Sequence, residues 1–244
     1  MVDPNLLNFS LTSSKKSSPT TRPEQQLDSG IAMLGIACTQ DQQLKLMRYA
    51  QLIEQWSQVY NLTAHRSLHE IVVHHLLDSL AILPVLDRLL AQAKQPELLD
   101  VGAGAGLPGM VVAIMRPQWR VALIDTVGKK AMFMRQVKAL CGLANSEVFH
   151  DRVENHQAKQ AYQVVMCRAF SSLVDFLGYA KPLLSTDITT KACALAMKSQ
   201  GAAQELADFQ QLPQADDWDE PRIIDLSVPF LDVSRCVVVV PTKS

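Results

Sequence analysis

"LLDVGAGAGLPGM", residues 98–110, sets four glycines (Gly102, Gly104, Gly106, Gly109) behind an apolar run that ends in an acid. The whole chain holds ten glycines. Glycine ordered in a folded interior costs backbone entropy, so such a cluster needs a cause: positive φ in a tight turn, or a backbone that a ligand must approach closely. The stretch reads as the carboxyl end of a strand, a turn and the start of a helix, which is where open α/β sheets bind ligands.

The surrounding text supports a sheet. From Glu97 onward the apolar runs "ELLDV", "RVALID", "SEVFH", "YQVVMC" and "ACALAM" are each followed by a helix-compatible segment. Strands alternating with helices imply a mostly parallel, doubly wound sheet. "RIIDLSVP" and "SRCVVVVPT" are separated only by "FLDV", and strands joined so tightly are expected to be antiparallel.

Upstream the period changes. Leu46, Ala50, Ile53, Trp56 and Tyr60 recur at three- and four-residue steps, the mark of one helix face. "NLTAHRS" interrupts the pattern and "LHEIVVHHLLDSLAILPVL" resumes it, with Pro84 expected to kink or start a helix. Residues 31–93 therefore read as a cap of two to four helices, and 94–244 as the sheet domain. Residues 1–30, rich in Ser, Thr, Pro and Lys, read as a flexible tail.

Three ligands compete for the glycine turn. A nucleotide triphosphate loop closes on Gly-Lys-Ser/Thr, and "GLPGM" has neither lysine nor hydroxyl. "GAGLPG" matches the dinucleotide fingerprint in form, but Gly102, two residues earlier, is the glycine that follows the strand. Asp100 is a second objection, since a carboxylate facing the turn repels a pyrophosphate. A cationic ligand is favoured, and S-adenosylmethionine carries a sulfonium and an ammonium group and no phosphate. Asp100, Gly102, Gly104 and Gly106 are accordingly cofactor candidates. Asp125 ends the next strand, where an acid can accept both ribose hydroxyls of either cofactor.

Composition limits the rest. The 244 residues are 48% hydrophobic and 19% charged with net charge −1, an ordinary globular balance with no global field for nucleic acid. Between Met115 and Lys138 six basic residues stand against Asp125, and between Gly201 and Asp232 eight acids stand against Arg222. One face is therefore expected to be basic, or these are solvated helix faces. Five scattered cysteines without a Cys-x-x-Cys pair argue against a disulfide framework and against a metal site. Neither an apolar signal core nor a run of ~18 apolar residues is evident, so a cytoplasmic protein without a membrane partner is expected.

"DVGAGAGLPG", "IDTVGKKAMFMRQV", "RVE" and "CRAFSSL", with "WSQVYNLTA" and "HHLLDSL" upstream, together resemble the bacterial small-subunit ribosomal RNA guanine-N7 methyltransferases, the glucose-inhibited division protein B family. The resemblance runs from about Asp41 to the C-terminus. It implies a Rossmann-like class I methyltransferase: a mostly parallel seven-stranded sheet with an antiparallel last pair, preceded by a helical N-terminal cap. It also implies S-adenosylmethionine as cofactor, and 16S ribosomal RNA or the small ribosomal subunit as partner. Carried over by position, Gly102 and Leu107 would contact the cofactor, Val153 and Glu154 would border its adenine, and Arg168 would reach the active mouth. His74 stands where an arginine is usual in the family, and Ser199 where Lys-Gly is typical.

The residues themselves also select Arg168, because it follows the buried run "VVMC" and should emerge beside the glycine turn. There it would hold the cofactor's carboxylate or orient the guanine or its phosphate; the alternative is a structural ion pair. Lys129, Lys130 and Arg135 are candidates for RNA phosphate, or solvated cations. Guanine N7 bears a lone pair at neutral pH, so methyl transfer to it needs no base. The adjacent His74 and His75 are expected on different sides of a helix. A small-molecule methyltransferase and a non-catalytic RNA-binding module on the same fold are the competing readings.

Overall fold

Pro23 opens the first helix at a position where its missing N–H costs nothing. The protein is described by a computed structural model for residues 21–243 apart from 159, 171 and 188–190. Helix α1 (Pro23–Met33) buries Leu27 and Ile31, one turn apart. A Cβ on Gly30 would lie 2.5 Å from the Leu77 methyl carbons, so glycine lets this helix press on the next layer. The expected tail is thus corrected from Pro23 on: two apolar residues at helical spacing suffice to dock a segment whose other side chains are polar. The part of that tail before residue 21 lies outside the described residues.

Helix α2 (Gln40–Tyr60) starts at a capping box between Thr39 and Gln42 and stops at Asn61 in the left-handed region. Then follow α3 (Leu68–Ile71), a π-helical turn (Val72–Leu77), α4 (Asp78–Leu80) and α5 (Leu83–Leu89), with Pro84 in its first turn. The run Leu68–Leu89 reaches a mean hydropathy of 1.3 over an 18-residue window, long and apolar enough to cross a membrane by composition. Histidines, acids and Pro84 interrupt it, so no unbroken apolar run of that length stands in the sequence. It is 72% buried inside the protein and acts as a core helix.

The sheet follows: β1 (Glu97–Val101), α6 (Gly109–Met115), β2 (Arg120–Asp125), α7 (Gly128–Cys141), β3 (Ser146–His150), β4 (Val164–Arg168), α8 (Leu173–Ala180), β5 (Cys193–Lys198), α9 (Ala202–Gln210), β6 (Arg222–Leu226) and β7 (Arg235–Pro241). The strand order is β3-β2-β1-β4-β5-β7-β6. The first five strands pair in parallel, and β7 runs antiparallel to both β5 and β6. Between β3 and β4 the described residues form only a 3-10 turn (Val153–Asn155), so one expected crossover helix is missing.

Alternation along each strand divides the interior. Leu98, Leu123, Met166, Leu195 and Val239 face the N-terminal helices, α6 and α7. Leu99, Ile124, Val165, Ala194 and Val238 face α8 and α9. Leu27, Ile53, Leu76 and Leu80 belong to the same core as Leu98, Met110 and Phe133; the change of text near residue 94 does not divide the packing. Polar ties reinforce the contact. Arg116 forks onto Asp87 at 2.7 and 2.5 Å, and the Tyr49 hydroxyl donates to the Ala105 carbonyl at 2.5 Å.

The basic stretch does not form one face. Strand β2 and helix α7 carry it from one end of the sheet to the other and back. Arg116 pairs with Asp87, Arg120 with Glu97, and Lys138 donates to the Ser146 carbonyl. Lys129 and Lys130 lie at the opposite end, beside Asp125.

Candidate active site

Strands β1 and β4 are neighbours whose connections leave in opposite directions, the switch point at which open sheets bind ligands. The glycine turn follows β1 there. Gly102, Gly104 and Gly106 have φ of 65°, 61° and 87°, a region closed to most L-residues. Gly109 has a different cause: a Cβ would stand 2.7 Å from Leu123 Cδ2 and 2.8 Å from Asp100 Oδ2. The Gly102 and Ala103 amides donate to the Ile124 carbonyl at 2.9 and 3.1 Å. Leu107 is buried, so its side chain belongs to the core and only its backbone faces the turn.

The two acids occupy different places. Asp100 is fully buried; its Oδ2 accepts from the Gly109 amide at 2.7 Å, and its Oδ1 has no protein partner. Burial pushes its carboxyl up to about 7, against the pull of the Gly109 amide and of Arg168. This corrects the expected carboxylate on the open face of the turn: the group lies underneath, where it ties the turn to α6. Asp125 accepts from the Gly104 amide with Oδ2 and from the Val127 amide with Oδ1, both at 2.8 Å. Each oxygen keeps a further lone pair for a hydroxyl.

Phe170 links this turn to the remaining cofactor candidates. Its ring lies 3.8 Å from the position of a Cβ on Gly102 and packs against Phe176 and Tyr179. Glu154 stands beside Tyr179, and its charge holds the phenol above its usual range. Val153 packs at the margin of the second core. An exposed Gly102 backbone flanked by the Phe170 ring, a buried carboxylate beneath the turn and an acid with spare acceptors fit S-adenosylmethionine.

Arg168 ends β4 and enters a network with the cap. Its Nη1 donates to Asp78 Oδ2 at 3.1 Å and to the His74 carbonyl at 3.2 Å, and its Nη2 lies 3.3 Å from His75 Nδ1. A guanidinium only donates, so His75 Nδ1 accepts; the ring proton sits on Nε2, 2.5 Å from Thr63 Oγ1. Burial, then Arg168, pushes His75 down to about 3. Asp78, itself buried, also accepts from Arg235 Nε at 2.9 Å. Arg168 thus makes the structural ion pair and retains two of its five N–H donors. The following Ala169 has φ 58°, an uncommon conformation of the kind that clusters at functional sites.

Beside Arg168 opens a cavity of about 410 Å³ that also receives His65, His74, His75, Phe170 and Arg235. Both adjacent histidines reach it, which corrects their expected divergence; they stand in the π-helical turn, not in a regular α-helix. Lys198, at the end of β5, pairs with Glu205 at 2.8 Å on the same wall, next to Ser199. Of the RNA candidates, Lys129 sits 5.1 Å from the Tyr60 ring centroid, Lys130 is 3.9 Å from Asp125 Oδ2, and Arg135 reaches the Val148 carbonyl at 3.4 Å. Sequence reasoning missed Phe170, Asp78, Arg235 and His65. Asp78 alone left a trace, as an acid inside an apolar helical run. Among the described residues no group of three or more His, Cys, Asp or Glu is placed to hold a metal.

A doubly wound sheet with this glycine turn, an acid closing the next strand and an antiparallel last pair is that of a Rossmann-like, S-adenosylmethionine-dependent methyltransferase. Among solved structures, the plantazolicin methyltransferase BpumL in complex with SAH superposes with a TM-score of 0.52 at 14% identity, covering 81% of this chain and 96% of that one. The chain belongs to the family described as rRNA small subunit methyltransferase G, whose model matches residues 42–231. The ribosomal RNA small subunit methyltransferase G of Nitrosospira multiformis is 39% identical over 220 residues, 89% of this chain and 96% of the relative. That of a Polaromonas species is 40% identical over 224 residues, 91% and 94%.

Proposed function

We propose that the protein transfers the methyl group of S-adenosylmethionine to N7 of a guanine in 16S ribosomal RNA, as free RNA or within the small subunit, in the cytoplasm. The observation that carries this reading is the end of β4: Arg168, Ala169 and Phe170 line a cavity of about 410 Å³, and the Phe170 ring also lies against Gly102 of the glycine turn.

In this reading the backbone from Gly102 to Leu107, Asp125, Val153 and Glu154 hold the cofactor, and Asp100 sets the turn from below. The bound cofactor supplies an electrophilic sulfonium methyl. Guanine N7 offers its lone pair without losing a proton, so no residue has to act as base, and the neutral, hydrogen-bonded His75 is not needed as one. What the chain contributes is placement, which can supply several kcal/mol of rate. Arg168, held by Asp78, His75 and the His74 carbonyl, uses its two remaining donors to orient the guanine or its phosphate. Lys129, Lys130 and Arg135 contact RNA phosphate.

The test is transfer of labelled methyl from S-adenosylmethionine to small-subunit ribosomal RNA from cells lacking the enzyme. The label is expected as 7-methylguanine. Label that appears on a small metabolite and never on guanine overturns the reading.

A further inference from the structure

His65, in the loop after α2, and His74, in the π-helical turn, lie face to face in the cavity beside Arg168. Their ring centroids are 4.0 Å apart and their planes 7° from parallel. Both are partly exposed. His65 also meets His75 edge-on at 5.1 Å, but His75 is already committed between Thr63 and Arg168.

Every charged group facing this pair has a partner. Asp78, on the helix that carries His74, is shared by Arg168 of β4 and Arg235 of β7. Glu205 of α9 holds Lys198 of β5 and the Leu173 amide. Glu70, in the turn before, accepts from the Ser67 hydroxyl and from the Ser67 and Arg66 amides. Asp78 and Glu70, engaged with these partners, favour an imidazolium at His74 less than desolvation, His65 and the nearby Arg235 oppose it. Desolvation, then His65 and Arg235, accordingly hold His74 below the usual histidine range. An incoming anion would reverse that balance, because it adds negative charge to the weaker pull of Asp78 and Glu70.

We propose that His65 and His74, together with Arg235, form a subsite for a backbone phosphate of the RNA, and that its occupation is coupled to uptake of one proton from solvent by the stacked imidazoles. Two charged rings at this separation would repel, so the pair takes one proton, not two. The subsite rests on the RNA reading of the cavity given above. Phosphate contacts position a nucleic acid without reading its sequence, so the pair governs how firmly the strand is seated.

The experiment is titration calorimetry of the full chain with an unmethylated 16S ribosomal RNA transcript, in buffers of different ionisation enthalpy near pH 7. The heat difference counts protons. Wild type is expected to take up about one proton and to bind RNA more tightly as the pH falls. His74→Arg carries a permanent charge: uptake should fall by at least half, and binding at pH 8 should exceed wild type. His74→Gln should bind about tenfold more weakly than wild type at pH 6 and lose the pH dependence. A cofactor-induced rise in Tm confirms that each variant folds, and His65→Asn, with the same expected loss of uptake, serves if a His74 variant does not. Unchanged uptake in these variants overturns the proposal. So does a loss of affinity that is the same at every pH, which assigns the pair to base stacking instead. A wild type that binds S-adenosylmethionine but no RNA at any pH overturns the RNA reading and the subsite with it.

Discussion

The two ends of the sheet differ in a way that their cavities invert. At the amino ends of β1 and β2 lies a groove of about 1140 Å³, lined by Lys94, Arg120, Lys138, Trp119 and Tyr162 among others. At the carboxyl ends of β4 and β5 the cavity is about 410 Å³. In the larger groove several polar groups are tied up with protein partners. Arg120 pairs with Glu97 at 3.3 Å, His156 meets the Tyr162 hydroxyl at 2.8 Å, and Asn145 Nδ2 donates to the carbonyls of Ala113, Arg116 and Trp119. Around the carboxyl ends of β1 and β4 three glycines and Ala169 hold left-handed conformations, a buried Asp100 oxygen has no protein partner, and Arg168 keeps free donors. Space in this molecule follows the crossover between β3 and β4, whose described residues form only a 3-10 turn; the glycine turn and Arg168 follow strand polarity. On volume alone the amino ends of β1 and β2 would be chosen.

Substitutions at the two ends test that contrast. The largest effect belongs to Gly104→Val. At φ 61° a branched residue is strained whatever the space around it, and its side chain would project where the cofactor approaches. Wild type at 100 times the dissociation constant of S-adenosylmethionine gains roughly 2.7 kcal/mol, read as a rise in Tm; the variant should show no rise. NAD should produce none in either protein.

Arg168→Ala comes next. Methyl transfer should fall at least tenfold, about 1.4 kcal/mol of transition-state stabilisation. Arg168→Lys should recover little of it, because an ammonium cannot make the same three contacts to Asp78, His74 and His75. Measuring cofactor affinity in both variants separates binding from chemistry. Full activity in a folded Arg168→Ala protein would remove this residue from the site.

A smaller effect is set by Asp100. Its folded carboxyl titrates near 7, against an ordinary 3.8. The neutral acid is therefore preferred in the free protein, and wild type should lose stability relative to Asp100→Asn as the pH climbs from about 4 to about 7. A cationic cofactor favours the ionised form, so wild-type affinity for S-adenosylmethionine should strengthen from pH 6 to pH 8. Calorimetric titration should show no such slope for Asp100→Asn.

The smallest change is expected at the opposite end. Arg120→Ala removes an ion pair whose arginine is 56% exposed, the kind worth between nothing and about 1 kcal/mol. Methylation should change less than twofold. A tenfold loss there would break the contrast drawn between the two ends.

The strands were legible because each is a short run rich in apolar residues, and in the central ones alternate residues enter opposite layers, a pattern set within a few neighbouring residues. The same holds for Gly102, Gly104 and Gly106, whose clustering signals a backbone that other residues cannot follow. Gly109 looked alike in the text, yet its cause is a packing contact with Leu123 and Asp100. Helix α1 was passed over because its two anchors, Leu27 and Ile31, acquire meaning only against Leu77 and the core behind it.

By itself, then, the sequence determined the sheet, its antiparallel close, the glycine turn and the position of Arg168 at a strand end. These depend on local propensity and on the fixed period of two in a strand. Tertiary structure alone decided that Asp100 lies beneath the turn, that Asp78 joins Arg168 to Arg235, and that His65 stacks on His74. Each of these joins residues from separate elements, Asp78 and Arg235 standing 157 positions apart, and no local pattern encodes such a distance. For Asp78, Arg168 and Arg235, the packing of the cap helices onto the sheet brings the groups together.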